Sequence, residues 1–264
     1  MVTLIKRLVK SMCIALSMYS RIPVPSFPWQ DADMAYAVCF FPLVGAVTGG
    51  CCAAWLYVSM KYGAGDMLRT AVLACIPLIV TGGIHFDGFL DTSDALASYQ
   101  TQEKRLEILK DPHVGAFAVI RALVFCGIYT GFVSRISLQI LPWKAAAVWC
   151  SGFVLSRILS GLSVVLFPSA KRTGSLYRFA ASADRVRSAA VLMAEGIACM
   201  SIMILLSPIP GACMAAAALC SFWYYHHTAV SGFGGITGDI AGWFVCICEL
   251  AMTVAAGAYA WIFC

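Results

Sequence analysis

Seven stretches of the chain are apolar enough, or nearly so, to cross the roughly 30 Å hydrocarbon core of a bilayer. They run over residues 37–60, 68–84, 114–134, 144–167, 189–208, 211–230 and 240–263. Their pattern predicts an all-α, polytopic integral membrane helix bundle of about seven transmembrane helices (six to eight), in a single membrane-embedded catalytic domain over 1–264. The second stretch runs into Thr81-Gly82-Gly83 and then into acidic residues, so its end is expected to be broken or only partly embedded. The first twenty residues place Lys6, Arg7 and Lys10 ahead of a short apolar run, Met12 to Met18, which imitates a signal peptide. That run is short, and Arg21-Ile22-Pro23-Val24-Pro25 follows it where a small-residue cleavage site would stand. An amphipathic or re-entrant helix at the interface fits better.

Composition agrees: 61% of residues are hydrophobic and 12% charged, against about 25% charged in an ordinary soluble domain. The thirteen cysteines contain no Cys-x-x-Cys pair and mostly sit singly in apolar runs. They read as small apolar packing residues, not as zinc ligands or bridges. Lys and Arg placement sets the orientation. One set of connections holds twelve of them, among them Lys104, Arg105, Lys110, Lys171 and Arg172, against four (Lys61, Arg69, Arg135, Lys144) in the other. The N-terminus and the 85–113, 168–188 and 231–239 loops are therefore expected in the cytoplasm. The net charge of +5 follows from this topology and calls for no nucleic-acid partner. Two arginines fall inside predicted spans. Arg121 is close enough to a helix end to snorkel, whereas Arg157 lies deep and calls for a partner carboxylate or a substrate phosphate. Glu249, ten residues into the last span, is expected to pair with such an arginine or to be protonated.

The acids are not evenly spread. Asp87, Asp91, Asp94, Glu103, Glu107 and Asp111 are six of thirteen, gathered into one short loop. The spacing of Asp87, Asp91 and Asp94 puts their carboxylates on about one stripe of a helix. Three carboxylates that close repel unless a cation lies between them, and an oxygen-only set suits Mg²⁺ with positions left for phosphate oxygens. A solvated polar face or a capping cluster would use the same residue types. The abutting apolar span, the glycine pair and His85 favour a metal or catalytic role, while Glu103, Lys104, Arg105 and Glu107 look like the polar face of a surface helix. A second loop, Gly234-Gly235-Ile236-Thr237-Gly238-Asp239, opens the last span. Its glycines permit close backbone approach, its helix start favours anions, and Asp239 is a candidate fourth acidic ligand.

Five ordered motifs, Arg21-Ile-Pro-Val-Pro, Thr81 through Asp94, Leu106 through Asp111 with Gly115, Ser156-Arg157 and Gly234 through Asp239, resemble the cobalamin synthase family, the adenosylcobinamide-GDP ribazoletransferases. The likeness runs from residue 20 to about 250, and the chain resembles a divergent member. Lys171-Arg172-Thr173 stands in a segment where the family usually carries acids. Val230 and Ser231 stand where a basic residue is usual, Cys246 where a Glu is common, and Ala95 where a Gly is common.

The resemblance implies that α-ribazole, or its 5′-phosphate, displaces GMP from adenosylcobinamide-GDP in a Mg²⁺-dependent reaction at a bacterial or archaeal plasma membrane. On that reading Asp87, Asp91, Asp94 and Asp239 hold metal, and His85, Asp94 and Lys110 serve the chemistry. Arg21, Arg157, Lys171, Gly234, Gly235 and Thr237 contact substrate phosphates. Partners are these small molecules and membrane lipids, with room for a homo-oligomer or for association with other enzymes of the pathway. Two rival classes share some features. A CDP-alcohol phosphotransferase also uses aspartates at helical spacing, but its Asp-Gly-x-x-Ala-Arg start is replaced here by Asp87-Gly-Phe-Leu-Asp91. An ion-coupled secondary transporter could relay through Arg157, Glu195 and Glu249, yet the acids concentrate at one membrane edge.

Overall fold

The structure is a computed structural model that describes residues 2–25, 27–138, 143–171 and 175–263. Among the described residues all regular elements are helical. They are α1 (Val2–Tyr19), α2 (Asp31–Met34), a 3₁₀ turn (Ala37–Phe40), α3 (Phe41–Lys61), α4 (Asp66–Thr81), α5 (Ile84–Ala97), α6 (Gln102–Ile108), α7 (Ala116–Leu138), α8 (Trp143–Leu166), α9 (Ser175–Ser182), α10 (Arg185–Leu206), α11 (Pro208–Phe233) and α12 (Gly238–Phe263).

Five helical stretches, Ala32–Lys61, Ala116–Ile136, Trp143–Leu166, Arg185–Leu206 and Gly238–Phe263, are each long and apolar enough to cross a membrane. The pair α4 and α5 meets that test only when taken together, bent by 93° at the break. This is the broken second stretch expected from Thr81-Gly82-Gly83. α11 is as long as α12 but is not among the helices apolar enough to cross. Its second half carries Ser221, His226, His227 and Thr228, which lower its hydropathy below that of the others.

α8 forms the axis of the bundle, with α3, α10, α11 and α12 packed around it. Between apolar helices in lipid, burial of oily surface gives little drive, and close backbone approach does more. Gly45 and Gly49, four residues apart on α3, lie directly on α8: a Cβ at Gly49 would stand 2.5 Å from the Cys150 carbonyl oxygen. The twelve described cysteines are all free thiols, in keeping with their reading as packing residues.

A few polar links cross the apolar interior between helices. Arg157, 1% exposed, forms an ion pair with Glu249 of α12. Its Nη1 also donates to Ser156 Oγ at 3.0 Å and to the Phe153 carbonyl at 3.2 Å, and Ser156 Oγ donates to Glu249 Oε1 at 3.1 Å. The deep arginine thus finds the carboxylate that burial demands. One turn further along α12, Trp149 Nε1 donates to Thr253 Oγ1 at 3.1 Å.

At one end of the bundle α1 folds back over the 3₁₀ turn and α3. Ile14, Ala37 and Phe179 make a small core of their own there, and Lys10 pairs with Asp33 at 3.1 Å. The N-terminal helix is thus amphipathic as expected; Cys13, Ile14 and Ala15 of its apolar face pack on protein, while Ile5 and Val9 stay exposed.

Candidate active site

The site begins at the bend between α4 and α5. Gly82 closes α4 at φ 62° and Gly83 follows at φ 81°, a pair of left-handed residues that side chains other than glycine adopt only with strain. The amides of Gly82 and Gly83 return to the carbonyls of Ile79 and Leu78 at 3.2 and 2.9 Å, ending α4 so that α5 leaves at a steep angle. Arg21 is tied to this corner: its backbone N–H donates to the Val80 carbonyl at 2.9 Å. Its side chain lies over Gly82, where a Cβ would fall 2.5 Å from Nε.

α5 then runs against the start of α12. Gly88 and Gly242 are the contact points: a Cβ on Gly88 would lie 2.5 Å from the Asp239 carbonyl oxygen, and one on Gly242 would lie 3.1 Å from the His85 carbonyl oxygen. This approach brings the α5 carboxylates to Asp239. Asp91, half-buried, repels Asp87, Asp239 and Asp94. A cavity of about 170 Å³ is shared by His85, Asp87 and Asp239. An open groove at the Gly82-Gly83 corner joins Arg21 to Asp87.

The glycine loop before α12 is held by a neighbour that local sequence does not reveal. Ile236 N–H donates to the Pro168 carbonyl at 2.8 Å and Ala170 N–H to the Ile236 carbonyl at 3.0 Å, a short bridge between two loops far apart in the chain. Gly235 fits because a Cβ there would stand 2.7 Å from Ala170 N, and Gly234 caps α11 at φ 73°. Thr237 caps α12, its Oγ1 accepting from Ile240 N–H and donating to Asp239 Oδ2, both at 3.3 Å. The bridge carries Lys171 to the acidic group. Burial draws the Lys171 ammonium below its ordinary range, Asp239 opposes that shift and Lys110 adds to it, so two lysines and Asp239 share one neighbourhood. Arg172 and Thr173 lie outside the described residues.

Two expected residues have other occupations. Asp94 Oδ1 accepts from the Ala118 N–H at 3.0 Å, and its carboxylate packs where a Gly115 Cβ would otherwise be. It fastens the start of α7 to α5. Arg121, expected to snorkel, donates from Nη1 to the Ser93 carbonyl at 2.8 Å and strengthens the same joint. Arg157, held by Glu249, stands deeper in the bundle than the acids. α6 forms the expected surface helix, with an exposed Lys104–Glu107 pair at 3.3 Å. It also docks on α11, Gln102 Nε2 donating to the Ser231 carbonyl at 2.9 Å and Arg105 Nη1 to that of Gly232 at 3.4 Å. A guanidinium therefore reaches the neighbourhood where Val230 and Ser231 supply no charge.

Among the described residues no three His, Cys, Asp or Glu side chains form a ready-made metal cage. Mg²⁺, commonly held by one or two carboxylates together with water and substrate phosphates, would not need such a cage, and Asp87, Asp91 and Asp239 are the carboxylates here that would hold it. The donor set is all oxygen, and Asp91 lies within reach of the repelling carboxylates of Asp87, Asp239 and Asp94.

An all-α bundle of membrane-length helices that gathers carboxylates and cations at one end suits an integral-membrane transferase, and the family match gives this protein that class. The chain belongs to the cobalamin-5-phosphate synthase family, which it matches over residues 11–257 and whose members complete the assembly of cobalamin. It is 43% identical to the adenosylcobinamide-GDP ribazoletransferase of Lachnoclostridium phytofermentans, covering 94% of each chain. The like-named protein of Azorhizobium caulinodans is 32% identical over 96% of this chain and 97% of its own. That of Desulfitobacterium hafniense is 30% identical over 94% and 96%. No solved structure matches.

Proposed function

We propose that this protein joins α-ribazole, or its 5′-phosphate, to adenosylcobinamide-GDP. The products are adenosylcobalamin, or its 5′-phosphate, and GMP, and the site faces the cytoplasm at a bacterial or archaeal plasma membrane. The observation that carries the proposal is the seating of Asp87 and Asp91 against Asp239 at the Gly88 contact, with Arg21, Lys110 and Lys171 nearby. Family membership and the like-named relatives support the choice of substrates.

In this reading Asp87, Asp91 and Asp239 hold Mg²⁺, and Asp94 positions α7. Bound Mg²⁺ would offset the charge of the diphosphate as the bridging bond breaks. Arg21, Lys110 and Lys171 bind phosphate oxygens, and the Gly234–Thr237 backbone lets the nucleotide come close. The nucleoside hydroxyl oxygen forms a bond to the phosphorus that carries cobinamide, the bond from that phosphorus to the GMP oxygen breaks, and GMP departs with the electron pair. His85, 7% exposed with an unpartnered Nε2, takes the hydroxyl proton. Membranes containing the protein, given adenosylcobinamide-GDP, α-ribazole and Mg²⁺, are expected to release GMP and form a cobalamin, and to stop when EDTA is added. Folded protein that releases no GMP would refute the assignment.

A further inference from the structure

The segment between α5 and α7 leaves the acidic corner, carries α6, and returns at Gly115 against Asp94. Its seating is partly apolar: Leu109 is buried, and Leu106 and Ile108 pack against the core. Apolar contact is non-directional and by itself leaves a short helix free to slide or roll. Register comes from the end of α11. There the N–H groups of Gly234 and Gly235 return to the carbonyls of Val230 and Ala229, each at 3.0 Å. The carbonyls of Ser231 and Gly232 are met from α6 instead, by Gln102 Nε2 at 2.9 Å and by Arg105 Nη1 at 3.4 Å. A cation at a helix C-terminus also suits the helix dipole. The glycines leave room for this cap: a Cβ on Gly232 would stand 3.1 Å from Arg105 Nη1, and one on Gly234 would stand 3.1 Å from Gln102 Oε1.

What the docked helix carries is Lys110. The chain leaves α6 in tight turns, Lys110 N–H donating to the Glu107 carbonyl at 2.9 Å and Asp111 N–H to that of Ile108 at 3.0 Å. The Lys110 backbone is therefore fixed relative to α6. Lys171 is fixed by a different anchor, one residue beyond the hydrogen bond from Ala170 to Ile236. The two lysines repel each other beside Asp239. Two cations brought together by separate anchors, against their repulsion, suit an anion that offers several oxygens.

Resting on the proposed reaction, we infer that Gln102 and Arg105 are positioning residues for the diphosphate of adenosylcobinamide-GDP. By capping α11 they hold Lys110 beside Lys171, and the two ammonium groups take the diphosphate oxygens. The same cap ties Lys110 to the loop that leads to Asp239, so a shift of α6 would move the cation away from the acids.

The test uses the full chain in membranes. Arg105→Ala is expected to raise the KM for adenosylcobinamide-GDP about tenfold and Gln102→Ala to raise it less, with the KM for α-ribazole unchanged in both. Arg105→Lys, which keeps a charged donor, should recover most of the loss. Because the effect runs through Lys110, Arg105→Ala should add less than about twofold in Lys110→Ala protein. A second arm needs no turnover: GDP should protect Lys110 and Lys171 from acetylation by N-hydroxysuccinimidyl acetate, read by peptide mass spectrometry, and should protect them far less in Arg105→Ala. Steady GMP release with an unchanged KM in both single variants, or with full multiplication of the two effects in the double variant, would overturn the inference and leave the reaction standing. Protection that depends on Arg105, in protein that releases no GMP, would support the positioning role and refute the reaction. A lowered thermal transition in Arg105→Ala with GDP protection intact would make the cap merely structural and overturn the inference.

Discussion

Arg157 and Glu249 illustrate what single residues contribute. Neither charge is affordable alone at that depth, and the pair is satisfied further by Ser156 and the Phe153 carbonyl. Glu249→Ala would leave the guanidinium buried and uncompensated, a loss of about 3–5 kcal/mol. It should appear as a lowered thermal transition in detergent, with Glu249→Gln milder because the amide still accepts. Equal melting of wild type and Glu249→Ala would remove the pair from the stability account. Asp94 poses a related question. Its oxygen caps the start of α7, so Asp94→Asn, which keeps an acceptor, should reduce GMP release less than Asp87→Asn, for which a drop of about 100-fold or more is expected. The reverse order would return Asp94 to the metal.

Among the elements, the decisive contact is α5 on α12. Gly88→Val would push the two helices apart at Asp239, separating the α5 acids from the α12 acid. We expect GMP release to fall at least tenfold while the protein still inserts and extracts as a monodisperse species; unchanged activity would show that the close approach is dispensable. Much of this level was readable in the sequence. The Gly82-Gly83 pair announced the break, and the stripe of Asp87, Asp91 and Asp94 announced a helix with one acidic face. Less readable were the occupation of Asp94 by Ala118, the hold of Arg121 on Ser93, and the bridge from Pro168 and Ala170 to Ile236 that delivers Lys171. These contacts join residues far apart in sequence, and hydrophobic periodicity carries no record of them. Cys246 and Ala95, departures from the family pattern, are simply buried small residues here.

Among the described residues, five apolar helices, the bent α4–α5 pair and the less apolar α11 enclose a polar end and a deep cavity. The hydropathy pattern outlined the bundle well because lipid imposes length and apolarity on every span. α11 falls below the others in hydropathy because of its polar second half. The bias of Lys and Arg predicts that reporter fusions at the N-terminus and after Asp111 read as cytoplasmic, and a fusion after Lys61 as external; the opposite pattern would invert the proposed facing of the site.

The central claim is that α5 and α12 together hold a divalent cation for transfer of the cobinamide phosphoryl group. It is tested most directly by the Mg²⁺ concentration that gives half-maximal GMP release, compared between wild type and Asp91→Asn at saturating substrates. The account predicts a rise of about tenfold or more in the variant, with activity partly recovered at high Mg²⁺. An identical Mg²⁺ dependence in the two proteins would contradict it.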